Sequence, residues 1–363
     1  MTAVNASSLA ELTGPGFLRA LLGPIESLDR RPLGALGYSG STHERLEIRL
    51  GSGERRNLVF KHVRLAQDWT AYRTGDTLSR EAALLAEPAL DRVWDVFACP
   101  YLAHAVEEGE IGLLLQDVSE HLFPDVDEPL TEAQEDALLA ALATLHAQYW
   151  NADIWRIAWL ATPAHLFTVL GPRAGEEESR RPTPHPLLDM VRQGWAAALA
   201  RLPEAASARL TRSADDFARE CSTLPRTLLH GDAKVANFAL LTGGRVAAFD
   251  WAWIGAGPCT LDLGWYLAVN AGRLARTREG VIARYRGLLE AGLGRSIPTD
   301  LWERLLSTGL LCGAAMLLWE KALALESGTR RASDEWDWWV RQLVSRANRL
   351  PATSDWDNWP KAR

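Results

Sequence analysis

Cysteine is scarce in this chain: Cys99, Cys221, Cys259 and Cys312 are the only four in 363 residues, and no two form a CxxC pair. That scatter argues against a disulfide framework or a thiolate zinc site and suits reduced thiols. Positive charge is in deficit, with 39 basic residues against 46 acidic and a net charge of −7. No basic stripe offsets this, so nucleic acid is not an expected partner. No uninterrupted apolar run approaches the roughly 18 residues of a membrane span, so no membrane is expected either. The N-terminus lacks a basic stretch followed by an apolar one, which leaves a signal peptide unexpected and a cytoplasmic location the expectation. The HExxH, HxxxH and GxxxxGK[ST] patterns of metal hydrolases and P-loop enzymes are missing, as is any internal repeat.

What is present is an ordinary globular composition, 47% hydrophobic and 23% charged, long enough for two domains. The sixteen tryptophans are unusual; most read as core and helix-packing residues. The first third is strand-rich. Leu46, Ile48 and Leu50 alternate as on a half-buried strand, and Asn57–Leu65 follows with Val59, Lys61 and Val63 on one face. A polar loop leads to a helical segment containing Glu81 and broken at Pro88. Tyr101–Val118 reads as two strands joined at Glu108–Gly109. After Pro124 the pattern turns helical. Thr131 is the expected N-cap of a helix, and Gln134 completes its capping box. Residues 171–186, rich in proline, glycine and charge, read as a mobile loop. The short runs TLL, FALL and RVAAFD read as hairpin strands within an otherwise helical second lobe.

The chemistry concentrates in His230–Asn237, HGDAKVAN, with Asp250 thirteen residues after the asparagine. Two short strands turning at Gly243–Gly244 would bring Asp232, Asn237 and Asp250 toward one point. Two carboxylates and an amide oxygen are hard ligands suited to Mg²⁺ that holds phosphate oxygens. Asp232 could accept a hydroxyl proton while the phosphate waits in line.

HGDxxxxN followed by a hydrophobic residue and Asp-Trp resembles the catalytic and metal loops of the aminoglycoside phosphotransferase and choline kinase-like family, small-molecule relatives of the protein kinases. The resemblance implies a catalytic base at Asp232, magnesium ligands at Asn237 and Asp250, and a loop brace at His230. It further implies that Lys61 holds nucleotide phosphates with Glu81 as its partner. The turn Gly37–Thr42, with Ser39, Gly40 and Ser41, would cover the phosphates, and Gln116 and Val118 would belong to the strand and hinge that hold adenine. Asp262 is either a helix cap or a support beneath the catalytic loop. Lys234 departs from many small-molecule relatives and matches the DxKxxN of protein kinases, where lysine faces the transferring phosphate. A protein kinase is nevertheless not implied. Asp262 stands only twelve positions after Asp250, Trp251 replaces the glycine after the metal aspartate, and no alanine-proline-glutamate follows.

The expected fold is therefore α+β, bilobal and protein-kinase-like, with residues 1–117 as a small antiparallel-sheet lobe carrying one helix and 118–363 as a larger helical lobe. The expected function is transfer of the terminal phosphoryl group of ATP or GTP, with Mg²⁺, to a hydroxyl of a sugar, aminoglycoside-like or amino-alcohol acceptor. The alternatives are hydrolysis or nucleotidyl transfer by the same aspartates, and a catalytically impaired nucleotide-binding pseudokinase acting through a partner. For the acceptor, the Trp150–Phe167 region and the acids and tryptophans of Ser333–Leu343 are candidates, although the latter also read as a packing stripe.

Overall fold

The computed structural model describes residues 3–34, 40–124, 128–181 and 184–346. Two compact units are present, one built from Met1–Pro124 with Phe238–Ala252, the other from Asp125–Asn237 with Trp253–Arg363.

The first unit holds a six-stranded sheet of β1 (Val4–Asn5), β2 (Ile25–Leu33), β3 (Thr42–Leu50), β4 (Arg55–Arg64), β5 (Tyr101–Glu107) and β6 (Glu110–Gln116). Its order is β1-β5-β6-β4-β3-β2, antiparallel except for the short parallel pairing of β1 with β5. Strand β2 gave no alternating signal in the sequence. It lies at the sheet edge, where Pro32 sacrifices no interior ladder bond. One face of the sheet packs Leu46, Ile48, Leu58 and Phe60 against Leu12 and Leu18 of the N-terminal helices. The polar stretch after β4 is not simply a loop: it forms helix Trp69–Thr74, N-capped by Asp68 and ended by Gly75 in the left-handed region. Helix Arg80–Ala86 follows and stops before Pro88.

Four short strands come later in the chain: β7 (Thr227–Leu229), β8 (Phe238–Leu240), β9 (Val246–Ala248) and β10 (Gly255–Gly257). The hairpin β8–β9 belongs to the first unit, although its sequence pattern reads as part of the helical lobe. Strand β7 pairs not with that hairpin but with β10, in the second unit.

The second unit is mainly helical. Helix Glu132–Gln148 carries the expected Thr131–Gln134 capping box. Helix Thr299–Ala324 is apolar nearly all round, as suits a core element, and packs against helices Pro186–Leu199, Thr260–Val269 and Arg330–Ser345. By length and composition alone this segment is apolar enough to cross a bilayer; 72% of its apolar window is buried within the protein. It meets helix Thr260–Val269 at glycines. A Cβ on Gly264 would lie 1.9 Å from the Gly309 carbonyl oxygen, so the backbones touch and no side chain fits between them.

The segment 171–186 departs from the mobile loop expected. It contains helix Ala174–Glu178, with Ala174, Gly175 and Glu178 buried. Glu178 Oε1 accepts from Arg181 and from the His185 backbone, which fastens the segment from both sides of residues 182–183. In helix Arg330–Ser345, Trp336, Trp338, Trp339 and Leu343 are buried, so that stretch is a packing stripe.

Candidate active site

In the first unit, Lys61 projects from β4 opposite His43 of β3 and Leu113 of β6. Its ammonium is buried and lies 2.7 Å from Glu81 Oε2 and 2.8 Å from Asp250 Oδ1. Burial alone would depress the lysine; the charges of Asp250 and Glu81 outweigh it and hold Lys61 above its ordinary value. The Tyr101 hydroxyl donates to Glu81 Oε1 at 2.5 Å and accepts from the Asp250 backbone N–H at 3.2 Å. Asp250 adopts φ 61, an uncommon left-handed conformation outside glycine, and its N–H also reaches Glu81 Oε1 at 3.2 Å. Burial and the Lys61 charge push His43 down to about 4 despite Asp250, so its ring is neutral near pH 7. Lys61, Glu81 and Asp250, 189 residues apart in sequence at their extremes, thus form one cluster.

The remaining nucleotide candidates sit elsewhere on the same sheet. Ser39 lies outside the described residues. Gly40, at φ 87, and Ser41 precede β3, whose first residue Thr42 pairs with His62. Gln116 ends β6 opposite Leu58, three residues back along β4 from Lys61, and gives its N–H to Pro100 O at 2.8 Å. Val118 follows in the connection to the turn Ser119–His121.

In the second unit, the loop after β7 carries His230, Asp232, Lys234 and Asn237. Gly231 has φ 83, and a Cβ there would lie 2.0 Å from Trp253 O, so only glycine permits this approach. Asp262, the third residue of helix Thr260–Val269, accepts from the backbone N–H groups of His230 and Gly231, each at 2.8 Å. It therefore supports the loop, and Cys259 rather than Asp262 is the helix N-cap. His146 Nε2 adds a contact to Asp262 at 3.1 Å. His230 is fully buried and its Nδ1 lies 3.3 Å from the Asp232 N–H.

The Asp232 carboxylate is buried and held from three sides. Trp265 Nε1 donates to Oδ1 at 2.7 Å, while Lys234 Nζ at 2.8 Å and Asn237 Nδ2 at 3.0 Å donate to Oδ2. Lys234 thus pairs with the aspartate two residues before it. Asn270 stitches the loop further, accepting from the Val235 N–H and donating to Ala233 O. Asn237 stands immediately before β8 and Asp250 two residues after β9, so the two flank the hairpin whose Phe238 pairs with Ala248.

Sequence reasoning missed Tyr101, Trp265 and Asn270. Tyr101 sat inside an apolar strand pattern, and Trp265 and Asn270 at or beside a buried helix; nothing in their spacing marks their partners.

No curated protein sequence matches the chain. Among solved structures it is similar to an ethanolamine kinase from Plasmodium vivax, at 12% identity over 94% of this chain and 86% of that one, with a TM-score of 0.49. It is also similar to an aminoglycoside phosphotransferase from Alicyclobacillus acidocaldarius, at 14% identity, 90% and 93% coverage and a TM-score of 0.48. A choline kinase from Streptococcus pneumoniae matches at 13% identity, 91% and 97% coverage and a TM-score of 0.44. The profile of the phosphotransferase enzyme family (APH) matches residues 40–298, a span that runs from the start of β3 to beyond the loop-supporting helix and takes in both clusters. With a small sheet bearing Lys61, a helix beside it bearing Glu81 and a helical remainder bearing HGDxxxxN, the chain belongs to the phosphotransferase enzyme family and has its protein-kinase-like fold.

Proposed function

We propose that this chain transfers the terminal phosphoryl group of ATP or GTP to a hydroxyl of a small molecule, a sugar, aminoglycoside-like compound or amino alcohol. The reading rests above all on the Lys61–Glu81 pair. A buried lysine given two carboxylates is costly to build for stability alone, and phosphoryl-transfer enzymes of this fold require such a pair. Lys61 would hold the nucleotide phosphates, and Asp232 would orient the acceptor hydroxyl and take its proton. Trp265, Asn237 and Lys234 fix the direction in which that carboxylate points.

Asn237 and Asp250 would hold magnesium. Their chemistry fits, because oxygen donors suit this hard cation. The nitrogen of Asn237 is committed to Asp232, so the amide oxygen is the atom left for a metal. Magnesium, when bound, would neutralise phosphate charge. Positioning and electrostatics would supply most of the rate. The four free thiols suit a reducing cytoplasm.

The test is a screen of metabolites and antibiotics for acceptor-dependent release of nucleoside diphosphate, with Asp232→Asn as control. Turnover on at least one hydroxyl acceptor, lost in the control, is the expected result. Magnesium-dependent nucleotide binding without turnover on any acceptor would favour the pseudokinase alternative.

A further inference from the structure

Trp155 does not behave like the core tryptophans. Its side chain is 50% exposed, the highest exposure of any tryptophan among the described residues. Two guanidinium groups gather on its ring, Arg156 at 5.1 Å and Arg226 at 5.5 Å from the centroid. An exposed cation–π contact contributes only about 0.5–1 kcal/mol. Elsewhere on the surface the usual partner is a carboxylate, as for Arg284 with Asp136 or Arg219 with Asp216. Among the described residues no carboxylate pairs with Arg156 or Arg226. In a chain of net charge −7 this is a local excess of positive charge.

The same tryptophan and Arg226 line a cavity of about 170 Å³ within the second unit. Ile157, Leu160, Pro163 and Cys221 provide apolar wall, and Arg226 is the one charged residue of the lining. The backbone of Arg226 is tied to Asn151, its N–H donating to Asn151 Oδ1 at 3.1 Å and its carbonyl accepting from the Asn151 N–H at 2.6 Å, while its guanidinium rests on the Trp155 ring. A dry cavity of about 150 Å³ accepts a benzene-sized molecule, so this one has room for a body of one or two rings. Apolar walls with one convergent charged group are the usual make-up of a small-molecule site.

We propose that this cavity is a binding site for a small organic anion, an aromatic or similarly apolar body bearing one carboxylate, sulfonate or phosphate, held by Arg226 and Arg156 at the Trp155 rim. The site excludes cations by charge. Nothing in it depends on the phosphoryl-transfer reading, and its test involves no turnover.

The probe is 2-naphthoate, titrated calorimetrically into the full chain, with 2-naphthylmethylammonium and 2-naphthol as cationic and neutral counterparts of the same body. Naphthoate should bind at least tenfold more tightly than either, with an affinity that falls as salt is raised. The double variant Arg156→Gln, Arg226→Gln should lose at least tenfold in naphthoate affinity while its affinity for naphthol and its Tm stay within error. Trp155→Ala should weaken both. Equal binding of the anion and the cation, or naphthoate binding unchanged in the double variant, would overturn the proposal. Should the double variant unfold, Arg156→Gln alone, on an exposed side chain, serves with the same criteria.

Discussion

Trp265 Nε1 donates to Asp232 Oδ1 at 2.7 Å across 33 residues of sequence, and both groups are buried. The indole occupies one oxygen of the carboxylate and leaves the other to Lys234 and Asn237. A hydrogen bond to a charged group contributes about 1.5–3 kcal/mol. Trp265→Phe keeps an aromatic ring but removes the donor, and should lower kcat by roughly 10-fold or more, in proportion to that energy. Nucleotide affinity should hold, since on the proposed reading only the base is misplaced. Asp232→Asn should cost at least ~10²-fold in kcat, the usual scale of a general base. Steady-state kinetics on an acceptor, with nucleotide Kd measured alongside, check both; a Trp265→Phe enzyme with raised nucleotide Kd and normal kcat would contradict the assignment.

Lys234 pairs with the same carboxylate while remaining about one-third exposed. If it turns to the transferring phosphate, its charge matters more in the transition state than in the ground state. Lys234→Ala should then reduce kcat by about 10–10³-fold with little change in nucleotide affinity. Lys234→Arg should recover only part, because a planar fork does not replace a compact ammonium. Unchanged kcat in Lys234→Ala would make the pair a structural ion pair.

Glu81→Ala strands Lys61 on a single carboxylate. Breaking a buried pair costs on the order of 3–5 kcal/mol, partly offset here by Asp250, so urea unfolding should show a loss toward the lower end. The pH dependence follows from the raised lysine. A group whose folded pKa exceeds its unfolded value, about 10.4, contributes its full stability below that value and loses it as pH rises through the folded one. The Lys61 contribution should therefore be flat through neutral pH and fade only in strong alkali. Parallel urea curves for native chain and Lys61→Met at several pH values measure it.

The thiols should be inert in the native protein. Burial pushes Cys99 up to about 11 and Cys259 to about 12, and holds Cys221 and Cys312 above their ordinary value as well. The thiolate is the reactive form. A chromogenic disulfide reagent at pH 8 should detect essentially none of the four before denaturation and all of them after it.

Gly264→Ala would place a methyl 1.9 Å from the Gly309 carbonyl oxygen, a backbone atom that cannot swing aside. Overpacking of this kind costs about 1–3 kcal/mol. Trp265 is the next residue, so the variant should lose both Tm and kcat, whereas Gly287→Ala, on an open position of helix Arg278–Leu293, should lose neither.

Much of the frame could be read from the residues. The strands around Lys61, the Glu108–Gly109 turn and the Thr131 cap all carry local signals, and the structure has them. Helix Trp69–Thr74 reads as a polar loop: six residues make too weak a period to show a helix, although Asp68 caps it and Gly75 ends it. Strand β10 was not legible: Gly-Ala-Gly has no side-chain alternation, and it exists because β7 needs a partner. In the segment 171–186, composition suggested mobility, yet Glu178 found two donors and Gly175 packs so closely that a Cβ would meet Leu188 O at 2.3 Å. Local charge says little once tertiary partners exist. The chemistry shows the same split. Asp232, Asn237 and Asp250 stand out by motif, whereas Tyr101 and Trp265 acquire their roles only through residues distant in sequence.

The division of the chain at Pro124 and Phe238–Ala252 has a consequence for biosynthesis. The first unit is discontinuous: its sheet emerges early, but Asp250 arrives 126 residues after Pro124, roughly 6–25 s later at ordinary translation rates of about 5–20 residues per second. For that interval Lys61 has only Glu81, and Phe97, which stacks on Phe238 and meets Trp251 edge-on in the finished protein, has neither. The sheet's own core, from Leu12 to Leu114, is complete in sequence by then, so what waits for the later segment is the ring cluster at Phe97 and the second carboxylate on Lys61.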